Sequence, residues 1–372
     1  MPIRRPEPIA VRRNRRPKPK PETDALGFGR FFTDHMFMMD YEDSRGWHDP
    51  RIVPYGPIEL DPAAKVLHYG QMTFEGMKAY RSPSGGIRLF RPDMNLKRLS
   101  RSNVRLGIPP IDEELVSEAI RRLVLLDRDW LPAAPGTSLY IRPFILAVEP
   151  LLGVSPSREY RLIMIMTPVG SYYEKGGDPV SIRIETEYVR AVRGGLGGAK
   201  TAGNYAASLK AQEEAASRGF AQVLWLDGVH RKYIEEVGSM NVFFRIGEKV
   251  VTPALSGSIL DGVTRDSVLR LLNHWGIGTE ERRIAIDEVA AACRNGTMAE
   301  AFGTGTAAVV SPIGELDWDG ERLLVGNPGE AGPLTRRLYD ELTGIQTGRA
   351  PDPFGWTVAL DGSEEPAKPG RD

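Results

Sequence analysis

The 372-residue chain has a single cysteine, Cys293. One thiol forms no internal disulfide and, alone, no zinc site, so no structural metal is expected and the reducing cytoplasm is the expected compartment. The chain also lacks any apolar run near the ~20 residues that span a bilayer, which argues against a transmembrane helix. It has no repeat at a fixed period, which argues against a solenoid. It has almost no net charge, −1, but that charge is uneven. Residues 1–20 hold eight Lys or Arg against one acid, Glu7, a net of +7, and the remainder carries −8. The basic stretch also has Pro2, Pro6, Pro8, Pro17 and Pro19. It lacks the apolar core of a secretory signal and the serine-rich amphipathic pattern of a transit peptide. We expect a solvated, flexible extension over 1–26. The acidic remainder is unsuited to nucleic acid.

What is present is ordinary for a globular α/β protein: 41% hydrophobic and 26% charged residues, in a chain long enough for two domains. YGPIEL and KVLHYG read as strands, and MKAYR with GIRLFR as a hairpin about Ser-Pro-Ser-Gly-Gly. DMNLKRLSRSNVRLG and residues 112–127 read as amphipathic helices, and SLYIRPFILAV and YRLIMIMTPVG as buried strands. Gly-Gly-Asp-Pro marks a linker over 171–180, dividing a smaller α/β domain (27–170) from a larger one (181–372). In the second half VSIRIETEYV, AQVLWLDG, MNVFFRIG and KVVTPAL read as strands. NYAASLKAQEEAASRG, TRDSVLRLLNHWG and EAGPLTRRLYDELTGIQ read as helices. EERRIAIDEVAAACRNG reads as a strand running into a helix, and AEAFGTGTAAVVSPIGEL as two strands about a glycine-containing turn.

The stretch GGLGGAKTAGNY (194–205) carries the chemistry. Strand, glycines, Lys200-Thr201 and helix reproduce most of the phosphate loop G-x-x-x-x-G-K-[ST], and VLWLD (223–227) resembles a strand ending in a magnesium-binding aspartate. Position 199, however, is alanine where that loop requires glycine. Two other readings of Lys200 are a plain surface lysine and a Schiff-base lysine for pyridoxal phosphate. The last needs four companions: cation and N–H donors for the phosphate, a carboxylate at the pyridine nitrogen, a hydroxyl at the phenolic oxygen, and room for substrate.

KTAGNYAASL, QVLWLDG and EEVGSMNVFF resemble the branched-chain amino-acid aminotransferases, pyridoxal-phosphate enzymes of fold type IV. FTDHM, FEGMKAYR, LFRPDMNLKRLSRS, SLYIRP, EPLLGVS, LSGSILDGVTR and FGTGTAAVVSP extend the resemblance, in order, from Gly27 to about Pro353. The resemblance implies a two-domain fold with the cofactor at the domain interface. It implies that Lys200 forms the Schiff base, that Tyr205 donates to the phenolic oxygen and that Glu236, next to Glu235, pairs with the pyridine nitrogen. It assigns the phosphate to Arg98, rather than Arg101 or Arg105, with the amides of Val263 and Thr264 at a helix start and with Thr306. For substrate it implies the Ala307 amide, walls from Phe32, Tyr69, Phe74, Tyr140 and Tyr172, and Arg142 with Lys78 for the γ-carboxylate of glutamate. The segment Leu152–Val154 is expected to enter a partner's site, making a homodimer. Where some eukaryotic members carry a Cys-x-x-Cys switch, this chain has Ala308 and Ser311, which excludes a thiol switch there.

These expectations amount to a transaminase that exchanges the amino group of leucine, isoleucine or valine with 2-oxoglutarate. A D-amino-acid aminotransferase or an aminodeoxychorismate lyase shares the fold, and a nucleotide-binding module or a non-catalytic scaffold is the rival of another class.

Overall fold

A computed structural model describes residues 7–170 and 177–360. The chain divides into two compact units, one formed by Met1–Tyr172 with Gly344–Asp372 and the other by Tyr173–Thr343.

Unit 1 contains β1 (Ala10–Val11), β2 (His35–Glu42), β3 (Gly46–Pro54), α1 (Lys65–Tyr69), β4 (Met72–Phe74), β5 (Met77–Arg81), β6 (Ile87–Phe90), α2 (Pro92–Leu106), α3 (Glu113–Leu126), β7 (Ser138–Ala147) and β8 (Glu159–Val169). Among the described residues its sheet runs β1-β3-β2-β8-β7-β5-β6 and ends on Thr357–Ala359, with β4 beside β7. Apart from the parallel β1–β3 pair, its pairings are antiparallel. Helix α2 starts with Pro at its first turn and stops at Gly107, a left-handed position (φ 67°). Helix α3 starts where the Asp112 side chain accepts the Leu115 N–H. Leu96 and Leu99 of α2 and Val116, Ile120 and Leu123 of α3 share one core with Phe37, Ile141, Leu162 and Met164 of the sheet.

Three readings of this half change. KVLHY is the helix α1, closed by left-handed Gly70, whose N–H donates to Val66 O. Its Lys65 is buried on Glu149, 2.8 Å away. YGPIEL takes up no regular element. The basic extension, expected to be solvated, is docked from Glu7 onward. Prolines forbid helix but leave extended backbone with N–H groups to spare. That backbone pairs with β3, donates from Asn14 to His35 Nε2 (2.7 Å) and from Lys18 to Asp34 (2.8 Å). The Lys18 ammonium lies 4.4 Å over the Tyr55 ring. Arg12, Arg13, Arg15 and Arg16 remain exposed.

Unit 2 contains β9 (Val180–Glu185), α4 (Ala202–Ala206), α5 (Leu209–Ser217), β10 (Gln222–Leu226), β11 (Ile234–Val237), β12 (Asn241–Ile246), β13 (Lys249–Pro253), α6 (Val263–His274), β14 (Thr279–Arg282), α7 (Ile286–Arg294), β15 (Met298–Gly305), β16 (Val309–Trp318) and β17 (Glu321–Leu324). Helix α8 (Pro333–Thr347) ends it and runs on past Thr343. The sheet order is β11-β10-β9-β16-β15-β12-β13-β14, with β17 on β16, and it mixes parallel and antiparallel pairs. Trp225, Phe243, Phe244 and Phe302 fill its core, Phe243 stacking on Phe302 across β12 and β15 at 5.3 Å.

The predicted strand over VSIRIETEYV stops at Glu185, whose carboxylate takes the N–H groups of Glu187 and Tyr188 and turns the chain. The long helix after Lys200 is two, because the Ser208 hydroxyl donates to Tyr205 O (2.7 Å) at the break. The expected domain of 181–372 gives up its end, since Thr357–Ala359 pairs with β6 of unit 1. Of the expected linker, residues 171–176 lie outside the described residues. Among the described residues no helix is long and apolar enough to cross a membrane, and no group of three or more His, Cys, Asp or Glu forms a metal site.

Candidate active site

In unit 2 the glycine run is a tight fastening. Gly197 lies so close to the Ser258 carbonyl that a Cβ there would collide with backbone. The Gly198 N–H donates to Gly257 O at 3.0 Å. Asn204 donates from one amide to Leu196 O and Ala199 O, each at 2.8 Å, and so clamps the turn before Lys200. The half-buried Lys200 presents its Nζ to the Tyr205 hydroxyl at 2.8 Å. A spacing of five puts Tyr205 in the single turn of α4 directly facing the lysine.

Strand β11 separates two adjacent carboxylates. Glu236 shares a recess with Tyr205, Asn204, Ser239 and Leu260. It accepts the Leu260 N–H at 2.7 Å and lies 3.5 Å from Arg190 Nε. Arg190 itself donates to Ser258 O at 2.5 Å. Glu235 points elsewhere: it accepts the Ser258 hydroxyl, and burial pushes its carboxyl up. Helix α6 begins at Gly262 with no side-chain cap, which leaves first-turn N–H groups at Val263 and Thr264 for an anion. A Cβ at Gly262 would strike the Asn241 amide. Thr306 and Ala307 sit in the turn joining β15 to β16. That turn closes on Val309 at φ 61°, a left-handed value that costs a β-branched residue about 1–2 kcal/mol.

In unit 1, Arg98 is buried whereas Arg101 and Arg105 of the same helix are exposed. Its guanidinium grips the fully buried Glu75 in a fork, Nε to Oε1 at 2.6 Å and Nη2 to Oε2 at 2.9 Å. Asn95 also donates to Glu75, at 2.8 Å. The neighbouring Gly76 leaves room for the Tyr140 hydroxyl, into which a Cβ would run. Arg142 donates to that hydroxyl at 3.0 Å and lies 4.8 Å over the Phe74 ring. Phe28 meets Tyr140 edge-on at 5.0 Å. Lys78 faces Tyr140 in register, and burial brings its ammonium down to about 8. Phe32 stacks instead on Tyr55 at 5.1 Å. Tyr69 and Val154 lie on an exposed apolar rim with Leu67, Leu151 and Leu152, where the Tyr69 hydroxyl donates to Leu152 O. Tyr172 lies outside the described residues. Glu75, Arg190, Asn204 and Ser258 were not singled out from sequence. Glu75, Asn204 and Ser258 stood inside the quoted motifs FEGMKAYR, KTAGNYAASL and LSGSILDGVTR, and Arg190 in none.

The family described as Amino-transferase class IV matches residues 72–316. The chain belongs to the class IV aminotransferase family. It is 60% identical over 92% of its length, and 94% of the relative's, to branched-chain-amino-acid aminotransferase 2 of Bacillus subtilis. This class IV member superposes on the branched-chain amino acid aminotransferase of Escherichia coli with a TM-score of 0.74 at 26% identity, covering 88% of this chain and 99% of the other. A T.th. branched-chain amino acid aminotransferase, solved complexed with N-(5'-phosphopyridoxyl)-L-glutamate, gives 0.72 at 28% identity, covering 87% and 98%. The mixed α/β architecture of these enzymes is thus that of the class IV chain described above.

Proposed function

We propose that the chain is a pyridoxal-phosphate-dependent branched-chain L-amino-acid transaminase, which moves the amino group of leucine, isoleucine or valine to 2-oxoglutarate. The observation that carries this reading is the 60% identity, over nearly the whole of both chains, to a branched-chain-amino-acid aminotransferase. The donor set of unit 2 fits the cofactor: a lysine beside a phenol, a carboxylate beside a buried arginine, and a helix start without a side-chain cap. When bound, pyridoxal phosphate supplies an electron sink for the substrate α-carbon and carries the amino group between the two half-reactions.

The residues have separate tasks. Lys200 would hold the cofactor covalently and, as a free amine, would move the proton at the substrate Cα. Tyr205 orients the lysine and donates to the phenolic oxygen. Glu236, beside Arg190, would accept the pyridine N–H and so favour the positive ring nitrogen. Val263, Thr264 and Thr306 donate to the phosphate. Arg98, held in one rotamer by Glu75, supplies guanidinium N–H donors for it. The Ala307 amide receives the substrate α-carboxylate. Phe32, Tyr69, Phe74, Tyr140, Val154 and Tyr172 shape the space for an aliphatic side chain, while Arg142 and Lys78 receive the second carboxylate of glutamate. The exposed apolar rim at Leu152–Val154 supports assembly as a homodimer in which that loop serves the partner's site. The cytoplasm is the compartment of this reading.

The test is the visible spectrum. After incubation with pyridoxal phosphate the protein gains a visible band that bleaches with L-leucine and returns with 2-oxoglutarate, while Lys200→Ala does neither. A protein with no such band refutes the proposal. Keto acid formed from D-alanine but not L-leucine would assign it to the D-amino-acid branch of the fold.

A further inference from the structure

Unit 2 holds a second concavity that shares no lining residue with the Glu236 recess. It is a pocket of about 320 Å³, within the range of small-molecule sites. Its floor is apolar, made by Ile234, Pro253, Ala254 and Ile259, and two exposed hydrophobic side chains, Val229 and Leu255, stand at its rim.

The polar groups around it include three arginines, Arg193, Arg282 and Arg283. Arg193 has no hydrogen-bond or ion-pair partner among the described residues, and neither does the His230 imidazole. Arg283 lies 5.2 Å over the Tyr233 ring, with no carboxylate against it among the described residues. Arg282 is neutralised by Glu280 and Glu288. The lining also holds two acids, and Asp227 is an anion: burial opposes its charge, but backbone N–H groups hold its carboxyl down to about 2. Asp227 spends both oxygens on the N–H groups of Val229, His230, Lys232 and Tyr233. Glu235 is buried, takes the Ser258 hydroxyl on one oxygen and leaves the other unpaired. Burial raises its pKa.

We propose that this pocket is a binding site for a small aliphatic carboxylate, its carboxylate held by Arg193 and Arg283 and its hydrocarbon end on the Ile234–Ile259 floor under Leu255. The site stands apart from the proposed catalytic residues in lining. Its wall, however, continues through Ser258, which Arg190 holds, to Leu260, which donates to Glu236. An occupant therefore rests on the segment that positions the proposed pyridine partner.

The test is calorimetric titration of the cofactor-loaded protein with 3-methylbutanoate. The wild type binds one equivalent per chain more than Arg193→Glu/Arg283→Glu does, whether or not the catalytic site also takes the probe. The cofactor band of the double variant is unchanged, since neither arginine belongs to the proposed catalytic set. Should the double variant fail to load cofactor, Leu255→Trp, which fills the pocket without altering its charge, is expected to lose the same equivalent. Equal stoichiometry in wild type and variant overturns the proposal. A missing cofactor band in the wild type refutes the transaminase reading instead, so the two failures are distinct.

Discussion

Lys78 is a buried cation in unit 1, 7% exposed, and burial lowers its pKa from the usual 10.5 to about 8. At ~1.36 kcal/mol per tenfold change, that depression corresponds to a cost of about 3 kcal/mol for keeping the ammonium charged inside the fold. The sign follows from linkage. Below pH 8 the side chain is protonated in both folded and unfolded chains, and the whole cost is present. Between 8 and 10.5 the unfolded chain holds the proton and the folded one has released it, so stability rises with pH across that window. Lys78→Met removes the charge at nearly constant volume. The variant is expected to be more stable than wild type by about 2–3 kcal/mol at pH 7, with the gain shrinking steadily from about pH 8 to 9.5. Urea denaturation of both proteins at pH 7, 8, 9 and 9.5 measures it. In the proposed function the same change raises KM for glutamate more than for leucine, which identifies the cost as one retained for substrate. A variant that is less stable at pH 7, or a difference that does not vary with pH, refutes the reasoning.

Three further outcomes follow from the geometry. Glu75→Gln removes the carboxylate under the Arg98 fork and leaves a buried guanidinium charge, at a cost of about 3–5 kcal/mol in urea unfolding; unchanged stability would contradict the buried pairing. Gly197→Ala places a methyl group against the Ser258 carbonyl; because backbone cannot step aside as a side chain can, thermal stability and the cofactor band should both fall, whereas Gly194→Ala, at an open left-handed position (φ 75°), should cost only about 1–2 kcal/mol. Cys293 is half-buried with its thiol pushed up to about 11, first by burial, so alkylation by iodoacetamide at pH 8 should be far slower in the native protein than in urea; equal rates would count against that environment.

The local order of the chain was largely legible because it rests on local rules. Gly107 after a run of period 3.6 ends α2, Asp112 starts α3, and Ser-Pro-Ser-Gly-Gly turns β5 into β6, all through interactions within a few residues. The resemblance of motifs such as KTAGNYAASL named the family, which the class IV match over residues 72–316 bears out. KVLHY was misread because five residues of mixed character suit a strand or a helical turn equally, and Gly70 with the burial of Lys65 on Glu149 chose the helix. The basic arm was misread because proline and charge forecast only the absence of helix. Its seat depends on acceptors brought together by folding, His35 Nε2 and Asp34.

By itself the sequence determined the ends of α2 and α3, the hairpin and the family. The tertiary structure supplied what surrounds the candidate residues: Glu236, and not Glu235, shares the recess with Tyr205, and of the three arginines on α2 Arg98 is the buried one. It also decided what the glycines beside Lys200 do: Gly197 is there because a carbonyl 61 positions later in the chain occupies the space of a side chain. A periodic pattern records which face of an element is apolar. It carries no record of which distant backbone atom or counter-charge will stand against that face, because such pairings form only when segments far apart in the chain exclude water from between them.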